Sequence, residues 1–129
     1  MDSNADLLRR FLDAQSRGDA ALLNELLADD IVWHVPGRNL LSRDYAGKTE
    51  VFEFFGRARE LSSGTVRTEV IDVMGGETYA VAIVRVFAER EGRSLGGSLQ
   101  AWTCRIEGGK IAESWFLVED RYAVDAFWS

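Results

Sequence analysis

The chain's one histidine, His34, sits in the stretch IVWHVPGRN, two residues ahead of its one proline, Pro36. An imidazole has an ordinary pKa close to neutrality, so at the rim of a pocket it would serve as a general base or acid. At the end of a strand it would be no more than a strand-terminal side chain. Glu113 is a second group of interest, because a carboxylate set into an apolar strand is costly unless it is protonated or paired with a cation such as Arg85 or Arg105. Buried and protonated, it becomes a rival acid/base candidate. Arg43, Asp44 and Tyr45 lie in a polar stretch that either closes over a ligand or is a solvated loop. Cys104 is the only cysteine. It admits no intramolecular disulfide, and with one histidine to accompany it a metal site is not expected.

The elements that must position these groups come from a chain of 129 residues, one domain spanning 1–129 by length and large enough for its own core. A formal charge of −6 with scattered Lys and Arg lacks the field that a phosphate backbone needs, so nucleic acid is not an expected partner. MDSNADLLRRF has no leader pattern and no window approaches the ~20 apolar residues of a membrane span. A soluble, cytoplasmic protein without membrane contact is the expectation.

Leu7, Leu8, Phe11 and Leu12 repeat at helical spacing over 4–16, with Ser3 or Asn4 as cap and Gly18 as stop. Asp19 caps a second helix bearing Leu22, Leu23, Leu26 and Leu27, closed by Asp29-Asp30. Residues 31–35 read as a short strand stopped by Pro36-Gly37, residues 38–47 as a polar loop, and Thr49 as the cap of a third helix with Val51, Phe52, Phe55, Ala58 and Leu61 on one face. From Val66 the pattern alternates. Strands over 66–74, 77–90, 93–107 and 110–118 are separated by Gly75-Gly76, Glu91-Gly92 and Gly108-Gly109, each a two-residue turn suited to a hairpin. Gly96-Gly97 predicts a bulge and strong curvature.

With Gly108-Gly109 as turn residues, Cys104 falls opposite Glu113 and Trp102 opposite Trp115. Tyr79, Val81 and Ile83 then fall opposite Cys104, Trp102 and Gln100. That register gathers Tyr79, Trp102, Glu113 and Trp115 on one face, with apolar walls and sparse polar groups suited to a small apolar molecule. A slip of one residue would exchange the faces. Three helices cannot cover both sides of a four-to-five-stranded sheet, so the second face is expected to pack on another copy, giving a homodimer through the outer sheet face.

Taken together, LLRRFLDAQSRGDAALLNELLADDIVWHVPG, YAGKTEVFEFFGR and GGKIAESW resemble the nuclear transport factor 2-like superfamily, in its SnoaL-like polyketide cyclase and ketosteroid isomerase-like branch. The resemblance implies an α+β fold, a cone-shaped curved antiparallel sheet with three helices from the N-terminal half on its concave face, as in a cystatin-like α+β barrel. The isomerase mechanism uses an Asp base, a Tyr and a protonated Asp. Carried over, the base falls on Val35, the Tyr on Phe11 and the protonated Asp at or near Trp102, so that chemistry is not expected here. Similarity to the cyclases implies instead a carboxylate near the last strand opposite a histidine, which points to His34 with Asp120, Glu119 being the adjacent alternative. The resemblance also puts Val35 toward the cavity. Alternation then turns His34 to the other face unless the backbone kinks before Pro36.

The expected function is a cofactor-independent isomerase, cyclase or dehydratase acting by acid/base chemistry on a small apolar carbonyl-bearing ring compound. His34 and Asp120 would carry the proton, and Trp33, Val35, Tyr45, Phe55, Tyr79, Trp102, Glu113 and Trp115 would line the site. The alternative is a non-catalytic small-molecule binding or dimerisation module of the same fold.

Overall fold

The computed structural model describes residues 3–129; Met1 and Asp2, part of the N-terminal stretch read above, lie outside the described residues. The chain runs α1 (Asn4–Arg17), α2 (Ala20–Leu26), β1 (Leu27–Val35), β2 (Arg43–Ala46), α3 (Gly47–Leu61), β3 (Arg67–Gly75), β4 (Tyr79–Arg90), β5 (Arg93–Glu107), β6 (Lys110–Val118) and α4 (Arg121–Phe127). Ser3 caps α1, its hydroxyl accepting from the Asp6 amide at 3.1 Å while the Asp6 carboxylate accepts from the Ser3 amide. Gly18 ends the helix at φ 67°, a left-handed value that glycine reaches without strain.

Three boundaries differ from the sequence expectation. Gly75, expected in a turn with Gly76, instead ends β3 and pairs with Ala80, so the connection to β4 runs over 76–78. α2 stops at Leu26 and passes directly into β1, because Leu27 pairs with Ile111 on β6 and is fully buried there. Pairing to the sheet wins over the helical repeat of leucines. The stretch read as a polar loop contains β2, paired antiparallel to β1, and α3 begins at Gly47 with Ala46 rather than Thr49 at its cap. Glu50 takes the place of a capping side chain by accepting from the Ala46 amide at 3.0 Å.

The six strands form one curved sheet in the order β2-β1-β6-β5-β4-β3. All neighbours are antiparallel except β1 and β6, which run parallel, so the expected all-antiparallel sheet holds for the meander and not for the β1–β6 seam. On the inner face Ala80, Ala82, Val84, Val86, Ile31, Trp33, Ile111 and Phe116 meet Leu8, Phe11 and Leu12 of α1 and Val51 of α3 in one buried core. The loop before β2 is held by α4. The Asp125 carboxylate accepts from the Arg38 amide at 2.9 Å and from the Asn39 side chain at 2.7 Å.

Two bulges set the faces. At Gly97, φ 96°, the β4–β5 register shifts so that Val86 pairs with Ser98 but Phe87 with Gly96. On β6 the shift falls at Ala112, with Ile106 opposite Ile111 and Arg105 opposite Glu113. The expected pairings of Cys104 with Glu113 and of Trp102 with Trp115 are therefore wrong by one residue. Cys104 pairs with Ser114, Trp102 with Phe116 and Trp115 with Thr103. Tyr79, Val81 and Ile83 likewise lie opposite Arg105, Thr103 and Ala101. Because side chains alternate across a strand, each slip of one moves a side chain to the other face.

Candidate functional site

The corrected register divides the candidate residues into two groups on opposite faces. The inner group is aromatic. Trp33 on β1 lies 5.1 Å from Phe116, 5.6 Å from Phe55, 5.9 Å from Phe11 and 6.2 Å from Phe54, centroid to centroid. Phe116 also meets Trp102 edge-on at 5.4 Å, and Tyr45 reaches Phe54 at 5.1 Å. Tilted and edge-on pairs at these distances are mutually attractive beyond their buried area. Trp33, Tyr45, Phe11 and Phe116 are buried, whereas Val35, Phe52, Phe54, Phe55 and Trp102 are half-buried.

Polar groups in this interior are few and mostly paired with each other. The Trp102 Nε1–H donates to Gln100 Oε1 at 2.8 Å, and Gln100 Nε2 donates to the Ser98 hydroxyl at 3.2 Å. The Tyr45 hydroxyl donates to the Leu41 carbonyl at 2.7 Å, and burial raises its pKa against the opposing charges of Arg43 and Arg57. Burial pushes the Cys104 thiol up to about 11, so it is no nucleophile at neutral pH. Neither a histidine nor a carboxylate belongs to the aromatic cluster around Trp33.

The outer group is charged. His34 pairs with Asp44 on β2 and lies beside Trp115 on β6, its alternation turning it away from the core side on which Trp33 packs. Its Nδ1 is 2.7 Å from Asp44 Oδ1 and its Nε2 is 2.6 Å from Glu113 Oε2. A neutral imidazole has one N–H, so with both carboxylates ionised both contacts are hydrogen bonds only in the imidazolium, which donates at both nitrogens. Burial alone would lower the His34 pKa, but the hydrogen bonds to Glu113 and Asp44 and their charges raise it above 6.5. The ring stacks on Trp115 at 5.5 Å, and Arg105 approaches Glu113 at 3.6 Å. Glu113 thus has its cation partners on the outer face, and Tyr79 completes the patch 6.5 Å from Trp115.

The expected residues therefore separate. Trp33, Val35, Tyr45, Phe55 and Trp102 share the interior, while His34, Tyr79, Glu113 and Trp115 share the outer face. Asp120 is in neither group: its carboxylate accepts from the Ala123 amide at 3.1 Å and caps α4, and the carboxylates on His34 are Asp44 and Glu113. Sequence reasoning left out Asp44 as a partner of His34, since nothing marked 43–46 as a strand. It also left out Phe54 and Phe116, placed by helix rotation and by the Ala112 bulge.

A surface groove of about 700 Å³ lies at the start of α3 and is separate from both groups. Four of its five charged residues are paired, Lys48 with Asp29 at 3.1 Å and Arg43 with Glu50 at 2.5 Å, with Glu53 beside them. Among the described residues no three His, Cys, Asp or Glu side chains group to hold a metal ion, and no helix is long and apolar enough to cross a membrane.

The fold and these residues can be set against known proteins. The family model described as SnoaL-like domain matches residues 8–114. An uncharacterized protein of Mycobacterium tuberculosis is 30% identical over 129 residues, covering 99% of this chain and 98% of its own. A Xanthomonas campestris protein of unknown function, described as having a cystatin-like fold, superposes with a TM-score of 0.92 at 27% identity, covering 99% of each chain. A putative polyketide cyclase of Sinorhizobium meliloti superposes with a TM-score of 0.72 at 20% identity, over 86% of this chain and 93% of that one.

Proposed function

Because the chain belongs to the SnoaL-like domain family, and because a fold does not by itself assign an activity, we propose that it is a small-molecule binding module. Its interior takes an apolar, ring-shaped, carbonyl-bearing compound and performs no proton transfer on it. One observation carries this reading: the aromatic group around Trp33 contains no base, and the one histidine lies on the opposite face with both ring nitrogens committed to carboxylates. Aromatic walls with one paired amide supply affinity and orientation without acid/base chemistry.

The test uses 1-tetralone, a bicyclic aromatic ketone. Saturable quenching of tryptophan fluorescence, with no protein-dependent exchange of the ketone's α-hydrogens in D₂O, is the expected result. Protein-catalysed α-exchange overturns the binding reading. It would favour a cofactor-independent isomerase, cyclase or dehydratase, a reading supported by the likeness to a putative polyketide cyclase and by the organised Asp44–His34–Glu113 group. In that enzyme Glu113 or Asp44, rather than Asp120, would be the carboxylate working with His34.

The outer sheet face is proposed to pack on a second copy of the chain. Tyr79 and Leu117 are 49% and 59% exposed there, with Val81, Ile83, Leu99, Ala101 and Trp115 half-buried around them. A two-fold axis through such a strip lets each copy cover the other. A cytoplasmic location belongs to the same reading, since a lone thiol, buried and protonated, suits a reducing compartment.

A further inference from the structure

The indole of Trp33 carries a donor with no acceptor. Among the described residues its Nε1 has no hydrogen-bond partner, and Trp33 is only 2% exposed. Buried N–H groups are rarely left so, because an unpaired donor forfeits its bond to water. A phenylalanine would fill much of the same apolar space without that penalty. The four rings around it, Phe11, Phe54, Phe55 and Phe116, offer only π faces, which are weak acceptors. The contrast with Trp102 is direct, since that indole faces the same interior and donates to Gln100 at 2.8 Å. Two of the four rings, Phe11 and Phe116, are buried, whereas Phe54 and Phe55 keep contact with solvent.

We propose that Trp33 Nε1 is the polar anchor of the interior site, donating a hydrogen bond to the carbonyl oxygen of the bound compound. This rests on the binding reading above and narrows it: the ligand class is apolar rings bearing an acceptor oxygen, and Trp33 is the residue that selects for the oxygen. A hydrocarbon of the same shape leaves the donor unpaired and binds less well.

The experiment titrates the intact protein, ¹⁵N-labelled at its tryptophan indoles, with 1-tetralone and with its hydrocarbon counterpart tetralin. The expected result is a ketone affinity about tenfold greater than that for tetralin, as one buried neutral hydrogen bond supplies, and a ketone-specific shift of the Trp33 indole resonance. Trp33→Phe should bring the ketone and tetralin affinities to within about twofold of each other, whatever its effect on both. Equal affinities in the wild type, or a preference that survives in Trp33→Phe, overturn the anchor and leave the binding reading standing. If neither compound binds, both fail. Should Trp33→Phe not fold, the wild-type Trp33 resonance, assigned by single replacement of the other three tryptophans, decides alone. A resonance unmoved by the ketone overturns the proposal.

Discussion

The inner and outer faces of the sheet share their strands and treat polar groups in opposite ways. Inside, Gln100 and Trp102 satisfy each other among phenylalanines, and the Trp33 donor is left over. Outside, His34 is held by two carboxylates, and an arginine reaches one of them. The inner face is thus suited to hold an uncharged molecule. On the outer face neither ring nitrogen of His34 is left free, since each meets a carboxylate.

On β6 what keeps the faces distinct is one residue, Ala112. It is the extra residue between the Ile106–Ile111 and Arg105–Glu113 pairs, and it lets Ile111 and Ala112 both be buried before alternation resumes. Deleting it forces a choice between the hairpin turn and the faces of residues 113–118. Either the turn is kept, and Glu113 and Trp115 enter the core as Ser114 and Phe116 leave it, or the faces are kept and the turn at Gly108-Gly109 is broken. The expected outcome is loss of the cooperative unfolding transition, read by circular dichroism in urea. A cooperative transition retained near the wild-type midpoint would show that the bulge is not what separates the faces.

Trp33→Ala is the next largest. Removing an indole buried among four aromatic rings costs about 3–5 kcal/mol, less the relief of the unpaired Nε1–H. The measurement is the shift in urea midpoint at unchanged slope. A loss under about 1 kcal/mol would mean that the interior is loosely packed around the indole and that the ring distances overstate its role.

The outer cluster is worth less and depends on pH. The folded pKa of His34 is raised above its ordinary 6.5. The pairing is therefore fully present below pH 6.5, where the unfolded chain also carries the proton, and is lost as the pH rises through the folded pKa. Asp44 from β2, Glu113 from β6 and Arg105 from β5 are the charged groups that face it, with Trp115 stacked on the ring. His34→Gln should cost about 1 kcal/mol at pH 5.5, a modest figure because Asp44 is largely exposed, and nearly nothing at pH 9. Equal midpoint differences at the two pH values would place the contribution in packing rather than charge.

How much of this division was legible in the sequence follows from what each signal encodes. The meander was legible because Glu91-Gly92 and Gly108-Gly109 mark their turns, and the Gly97 bulge because a glycine pair interrupts a strand. The bulge at Ala112 has no such mark. Alanine is compatible with regular strand and bulge alike, and a single silent insertion sent Trp102 and Trp115 to opposite faces. β2 was illegible for another reason: RDYA has neither length nor apolar alternation, and it is a strand because β1 offers it an edge and Asp125 holds the loop before it. For His34, alternation from Val35 pointed outward from the start, but its partners came from those two elements. Asp44 lies on the strand that was missed, and Glu113 lies just past the bulge that was missed.

The smallest effect on the folded chain should come from Leu117→Lys, and it separates the faces most cleanly. Leu117 is 59% exposed on the outer strip, so a lysine there removes little buried area and can extend its amine into water. The chain's own stability should change by no more than about 0.5 kcal/mol. The proposed pairing of two outer faces would instead bring two lysines together near the symmetry axis and leave them short of water, which shifts the molecule toward a single copy in sedimentation velocity. The interior is untouched, so 1-tetralone should quench tryptophan fluorescence with the same midpoint in both proteins. If the variant sediments as the wild type does at equal concentration, the outer strip is not where two copies meet. If ketone binding weakens along with association, the two faces are coupled through the sheet, and the division between a holding interior and an assembling exterior does not stand.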